Sequence, residues 1–150
     1  MKKFRFPLQP VGVLRAHQEM RAREIFAAAV HHYVQTEERL AALRKRVADL
    51  AEVLFHGRSD RFLAADAAAL LRVYSGECNA VILVEREVIE ARAAMQQRRS
   101  EYIEANRRLK TVQKLEEKAR NQHRLEGLRA EQSELDELAG FRAFRQPALS

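Results

Sequence analysis

The sequence has no tryptophan, one cysteine and three prolines, and each scarcity removes a class of answer. With Cys78 alone, no intramolecular disulfide can hold the chain together, and a reducing cytosol is a comfortable setting. Pro7, Pro10 and Pro147 all lie near the ends, so nothing between Val11 and Gln146 forbids helix through a missing N–H. The five glycines at 12, 57, 76, 127 and 140 are scattered, and no Gly-x4-Gly-Lys-Ser/Thr phosphate loop occurs. Aromatics make up only 7%, too few for a broad globular core. No uninterrupted apolar run approaches the roughly 18 residues of a membrane span, and no apolar signal core follows the basic start Met1–Lys3. Metal and nucleophile patterns are also missing. His31 and His32 are adjacent, so on a helix they point about 100° apart, and no cysteine pair exists. Cys78 reads as a small residue at the edge of a seam and not as a nucleophile. Catalytic, cofactor and metal residues are therefore expected to be absent.

What is present is Ala, Glu, Arg and Leu, all strong helix formers, with 32% charged residues and a mean hydropathy of −0.44. The apolar positions are ordered. Phe26, Ala29, Tyr33, Thr36, Leu40, Leu43, Val47, Leu50 and Leu54 are spaced alternately by 3 and 4. Val81, Val84, Val88, Ala91, Met95, Arg98, Tyr102, Ala105, Leu109 and Val112 repeat the same spacing. Strict 3,4 spacing keeps one narrow stripe turned toward a partner helix. The fold class predicted is all-α: a long antiparallel two-stranded coiled-coil hairpin with a short helix at its tip. It forms a single domain over 1–150, with a first helix over about 11–56, a tip segment over 57–76, a second long helix over about 77–139 and a short tail over 140–150. At about 1.5 Å per residue the long helices would measure about 69 and 95 Å.

Three boundaries follow from local chemistry. Upstream of Phe26 the register lands on Ala22, Glu19 and Arg15, while Leu14 and Ile25 fit a shifted frame, so a stutter or a looser end is expected there. Gly57 suits a left-handed C-cap, with Ser59 or Asp60 capping the tip helix; Ser75-Gly76 reads as a bend, and Gly140 as a helix stop. Beyond Val112 the stripe degrades through Glu116, Ala119 and His123.

Charge bounds the partners. The chain carries +6, and between Arg92 and Arg124 ten Lys or Arg stand against four Glu. Those basic residues surround the helix instead of forming a line with stacking aromatics, which argues against nucleic acid and leaves a solvated face or an acidic protein partner. Glu131, Glu134, Asp136 and Glu137 crowd the expected C-terminal turns, where they oppose the helix dipole. Lys2, Lys3 and Arg5 have the mirror problem, and in a hairpin the two groups are neighbours that either pair or dock together on a partner. Phe4, Arg5 and Phe6 add aromatic surface and a fork-shaped donor to that end. At the tip, Phe55, Phe62, Leu70, Leu71 and Tyr74 lie outside both stripes. They form either a partner site or an internal cap.

Certain of these elements resemble a family. Lys3-Phe4-Arg5-Phe6-Pro7-Leu8-Gln9-Pro10-Val11, followed by Leu14-Arg15, resembles the start of the flagellar export protein FliJ family. The basic segment Arg108–Lys118 and the acidic close Glu131-Gln132-Ser133-Glu134-Leu135-Asp136-Glu137-Leu138-Ala139 are similar to the later parts of that family. Gly12 in the first turns departs from the family's Leu-rich start. The resemblance implies a non-enzymatic, stalk-like coiled coil of the flagellar type III export apparatus. Such a protein binds the ring of the export ATPase FliI, engages the export-gate protein FlhA and escorts export chaperones. It implies no cofactor, no nucleic acid, and a cytoplasmic place at the inner-membrane export apparatus, with membrane association only through the gate. It assigns the end bearing Phe4, Arg5, Phe6, Glu131, Glu134, Asp136 and Glu137 to the ATPase ring, while the apolar patch at the tip independently makes Phe62, Leu70, Leu71 and Tyr74 candidate partner contacts. The alternatives are a stalk protein of a non-flagellar type III secretion system and a basic nucleic-acid-binding coiled coil.

Overall fold

The computed structural model describes residues 2–57 and 64–146, and among them there are two helices and no strand. Helix α1 spans Gln9–Gly57 and helix α2 spans Ala64–Arg145. They pack against each other antiparallel, so the fold class is the expected helical hairpin coiled coil.

Residues 20–104 form one compact unit. Its centre is a small cluster of Leu40, Leu43 and Val84, with Ala80, Val81 and Val88 packed on it. Val84 is 1% exposed and Leu43 6%. Thr36, the polar member of the first stripe, is buried without an orphaned hydroxyl, because its Oγ1 donates to the His32 carbonyl at 2.7 Å. The Phe26 and Tyr102 rings stack at 6.0 Å with an angle of 5°. Ion pairs bracket the seam: Arg39 with Glu87 at 2.9 Å, Arg44 with Glu85 at 3.0 Å, and Arg46 with Glu77 at 3.3 Å. Partners late in α1 meet residues early in α2, as antiparallel pairing requires. The Glu77 Oε2 is buried, and among the described residues it meets Arg46 in an ionic contact outside hydrogen-bond geometry.

Residues 1–19 and 105–150 form the other unit. Residues 2–6 run outside the helix and turn at Pro7-Leu8, where the Gln9 N–H donates to the Phe6 carbonyl at 3.1 Å. Pro10 comes next in the first turn of α1, where its missing N–H costs nothing. At Gly12 an added Cβ would sit 3.4 Å from Val112 Cγ1, an ordinary van der Waals contact, so α1 and α2 lie side by side here with room for a small side chain.

Several expected boundaries are corrected. No stutter interrupts α1 upstream of Phe26. The 3,4 register continues through Ala22, Glu19, Arg15 and Gly12, which are buried or half-buried, while Leu14 and Ile25 are exposed. Position on the helix, not residue type, decides which side chains face inward. The separate tip helix and the break at Ser75-Gly76 are also overturned, because α2 begins at Ala64 and passes through both residues. A mid-helix glycine costs about 1 kcal/mol relative to Ala, yet Leu70, Tyr74, Glu77, Val81 and Val84 hold an unbroken 4,3,4,3 register across it. Gly140 does not stop α2, which ends at Arg145. Gly57 is the last residue of α1, and among the described residues no glycine has a positive φ. The caps expected at Ser59 and Asp60 lie outside the described residues. So does Pro147. Although no uninterrupted apolar run is long enough to span a bilayer, α2 contains an 18-residue window of mean hydropathy 1.3 that tolerates a few polar residues, with 6% of it buried within the chain.

Leu43 lies in the buried cluster of one unit, and Leu109 is half-buried in the other. Leu43→Ala should therefore cost about 2–4 kcal/mol in chemical denaturation and Leu109→Ala distinctly less. Equal small losses near 0.5 kcal/mol at both sites would remove the seam as the source of stability.

Candidate functional site

A two-helix seam leaves most of each helix turned outward, so the candidate sites are surfaces. In the unit of residues 20–104, Leu70 and Tyr74 occupy seam positions and are half-buried. Leu71 is 56% exposed and Phe55 74%. The tip residues therefore divide: Leu70 and Tyr74 help close the hairpin, and Leu71 and Phe55 face solvent. Phe62 lies outside the described residues.

The sequence reading did not identify the face to which Leu71 belongs. On α2, Leu71, Cys78, Ile82 and Ile89 recur at 7, 4 and 7, and Glu85 lies in the same band. On α1, Ala41, Ala48, Ala51 and Phe55 recur with Arg44 among them. The Arg44–Glu85 ion pair at 3.0 Å turns both bands to the same side of the hairpin. Together they make an apolar face floored by small side chains, the geometry that accepts an amphipathic helix. The signal was in the sequence, as spacing offset from the main stripe, but only the ion pair joins its two halves.

In the other unit, Phe4 is fixed on α2. Its ring meets the His123 ring edge-on at 5.4 Å, and the Arg120 guanidinium carbon lies 5.3 Å from its centroid. Phe6 is half-buried and Arg5 exposed. This anchoring lies more than two helical turns before Glu131, and among the described residues no ion pair joins Lys2, Lys3 or Arg5 to Glu131, Glu134, Asp136 or Glu137. The expected mutual neutralisation is thus not formed.

The reason given for the acidic cluster also changes. Because α2 continues to Arg145, those carboxylates do not occupy its last turn, which carries Arg142 and Arg145 instead. The dipole acts only over the terminal turn, so it does not disfavour them. Beside them runs a feature the sequence reading missed. Leu125, Leu128, Leu135, Leu138 and Phe141 are all exposed, on a part of α2 past the contacts with the N-terminal segment. The seam was followed through Glu116, Ala119 and His123, and this stripe begins on a different face.

The titratable groups show local effects only. The Tyr33 hydroxyl donates to the Glu37 carboxylate, which raises its pKa above the usual 10. Tyr74 is raised by its hydrogen bond with Cys78. Arg98, with Gln97, holds the Glu101 carboxyl below its ordinary value. Each shift moves away from neutrality, so none of these groups is poised for proton transfer near pH 7. Among the described residues no three His, Cys, Asp or Glu cluster as metal ligands.

The sequence matches the family described as Flagellar FliJ protein over residues 4–148. No curated protein matches it. Among solved structures it is similar to CT670 from Chlamydia trachomatis, described as a proposed YscO homolog. The identity is 15% and the TM-score 0.66, covering 96% of this chain and 100% of that one. At that identity the likeness shows the shared fold.

Leu71 and Leu70 are adjacent but differ in burial, which gives an internal control. Leu71→Gln should leave the thermal midpoint nearly unchanged, within about 0.5 kcal/mol. Leu70→Gln should destabilise by about 1–3 kcal/mol through partial loss of seam packing. A large loss from Leu71→Gln would show that the exposed face is covered in solution by the chain itself.

Proposed function

This chain belongs to the flagellar FliJ protein family, and on that premise we propose that it is a stalk-like coiled coil of the cytoplasmic type III export apparatus. In this reading the unit bearing both termini engages the ring of the export ATPase FliI. The apolar face around Leu71 and Ile82 meets the export gate FlhA, and the chain escorts export chaperones. It performs no chemistry of its own: the ring hydrolyses nucleotide, and this protein transmits or times that event. Membrane association comes through the gate. The family match favours the flagellar system over a non-flagellar one, since the shared fold alone does not distinguish them.

The observation that carries the proposal is the bare stretch of α2 beyond His123. A helix that leaves Leu125, Leu128, Leu135, Leu138 and Phe141 exposed, with Glu131, Glu134, Asp136 and Glu137 beside them, has apolar surface that no other described part of the chain covers. A single helix with an apolar stripe and charged flanks suits insertion into an annular partner, where apolar contact supplies affinity and charge supplies orientation. Phe4 and Phe6 thicken the base of that helix.

Two variants separate the contributions. The double charge reversal Glu134→Lys with Glu137→Lys should weaken ATPase binding and stimulation at low salt. The defect should shrink as ionic strength rises, because exposed charges are screened within about 10 Å at 0.1 M. Leu138→Ser should weaken binding by about tenfold at any salt concentration, the size expected for losing one apolar anchor. Melting should shift little in either, since these side chains are exposed. If both variants stimulate the ring as well as the parent at low salt, this end of α2 is not the ATPase-facing surface. For the gate, Leu71→Gln should abolish co-purification of the FlhA cytoplasmic domain while leaving ATPase stimulation intact.

A further inference from the structure

The exposed stripe at the end of α2 has a second property that ring binding does not require. Leu125, Leu128, Gln132 and Leu135 recur at 3, 4 and 3, the spacing of a coiled-coil seam. All four are exposed, and no other part of the described chain packs on them. Arg124 and Glu131 flank this seam on one side, and Arg129 and Asp136 flank it on the other. The members of each flanking pair are seven residues apart, about 10.5 Å along the axis, too far to meet within one helix. Among the described residues no ion pair engages Arg124, Arg129 or Glu131, and the Asp136 carboxylate accepts from Gln132 at 3.1 Å.

We propose that this segment, residues 124–136 of α2, pairs antiparallel with the same segment of a second copy of the chain. Two-fold reversal sets Leu125 against Leu135 of the second copy and Leu128 against its Gln132, and then the converse. In an antiparallel pair each flank meets the same flank of the other helix. Side chains lean toward their own N-terminus, which brings Arg129 to Asp136 of the second copy, twice by symmetry. On the other flank Glu131 lies across from its own symmetry mate, a single like-charge contact at the rim. Parallel pairing, by contrast, sets one flank against the other. It brings Arg124 to Arg129 and Glu131 to Asp136, each twice, so all four flank contacts repel. Two attractions against one repulsion in one orientation, and four repulsions in the other, select both the partner and its direction.

The contact is short and contains Gln132 in two of its four layers, so the dimer is weak and reversible, with a strong salt dependence. It covers the stripe assigned above to the ATPase ring, and its existence does not depend on that assignment. A copy so paired has Leu125 and Leu135 occupied, so dimer and ring complex exclude each other.

Sedimentation equilibrium of the full chain over a range of concentrations tests this without any other partner. Reversible dimers should form at low salt and dissociate toward monomers as salt is raised. Arg129→Glu places two like-charge contacts in the interface and should weaken dimerisation by at least about tenfold. Asp136→Arg should do the same. The double variant R129E/D136R restores opposite charges and should dimerise again. An equimolar mixture of the two single variants should form heterodimers. There the carboxylate introduced at position 129 of one chain faces the guanidinium introduced at position 136 of the other, and the unchanged Asp136 faces the unchanged Arg129. These side chains are solvent-exposed, so circular dichroism should report unchanged helix content. A parent that stays monomeric at all concentrations overturns the proposal. So does a dimer that is indifferent to the single reversals, or one that the double variant and the mixture fail to restore.

Discussion

The narrowness of the seam is the constraint that governs everything else in this chain. Each helix places one residue in every 3 or 4 against its partner, so the buried cluster amounts to little more than Leu40, Leu43 and Val84 with their neighbours. Burial of this kind stabilises in proportion to apolar area, at about 25 cal/mol per Å². A thin stripe must therefore be long to hold two helices together. Length supplies a cooperative seam that tolerates Thr36 and Glu19 at buried positions and Gly76 in mid-helix. Direction is supplied by charge: Arg39, Arg44 and Arg46 find Glu87, Glu85 and Glu77 only when the helices run antiparallel in this register. The exposed pairs Arg39–Glu87 and Arg44–Glu85 contribute little energy singly, but register is a difference between alternatives, and small terms decide it.

The fold was legible wherever the seam positions carried apolar residues. From Phe26 to Leu54 and from Val81 to Val112 the spacing alone identified the inward faces. It misled where seam positions hold polar or small residues. Glu19, Arg15 and Gly12 continue the register by geometry, although their side chains argue against burial one at a time. Local propensity disfavours helix at Ser75-Gly76 and at Gly140, and so points to a bend at the first and a stop at the second. Propensity is a cost of about 1 kcal/mol, and packing on the seam either side of Gly76 exceeds it. Past Gly140 the helix continues to Arg145, where Arg142 and Arg145 in its last turn complement the dipole.

The functional surfaces were legible in part. The acidic residues from Glu131 to Glu137 stood out in the sequence, but the reason offered, opposition to the helix dipole, depended on a helix end that lies farther on. The apolar stripe beside them escaped notice because Leu125 and Leu128 occupy a different face from the seam just before them. At the tip, the sequence leaves open whether Phe55, Phe62, Leu70, Leu71 and Tyr74 form a partner site or an internal cap, and Leu71 is exposed. Its neighbours on the same face, Ile82 and Ile89, sit within the span whose 3,4 stripe is carried by Val81, Val84 and Val88. The α1 half of that face is mostly alanine, and exposed alanine carries no signal by itself. Only the crossing of Arg44 to Glu85 assigns the two halves to one surface.

These surfaces differ in what can cover them. Around Leu71 and Ile82 the floor is formed by two helices and is flat, so a third helix laid along it gains contacts from both. Beyond His123, among the described residues, α2 runs without a second helix as floor, so a partner that covers Leu125 and Leu135 must either encircle α2 or be another helix of matching pattern. A ring satisfies the first condition and a second copy of the chain the second. The charge flanks distinguish the two physically. A ring interior meets all sides of the helix, so it uses carboxylates on every face, Glu134 and Glu137 included. A helix partner meets only the two flanks of the seam, and there the sequence sets Arg124 and Arg129 seven residues before Glu131 and Asp136. Parallel pairing turns every one of those charges against its like, whereas reversal joins Arg129 to Asp136 at both ends of the contact. Contact with a ring calls for no such preference between directions.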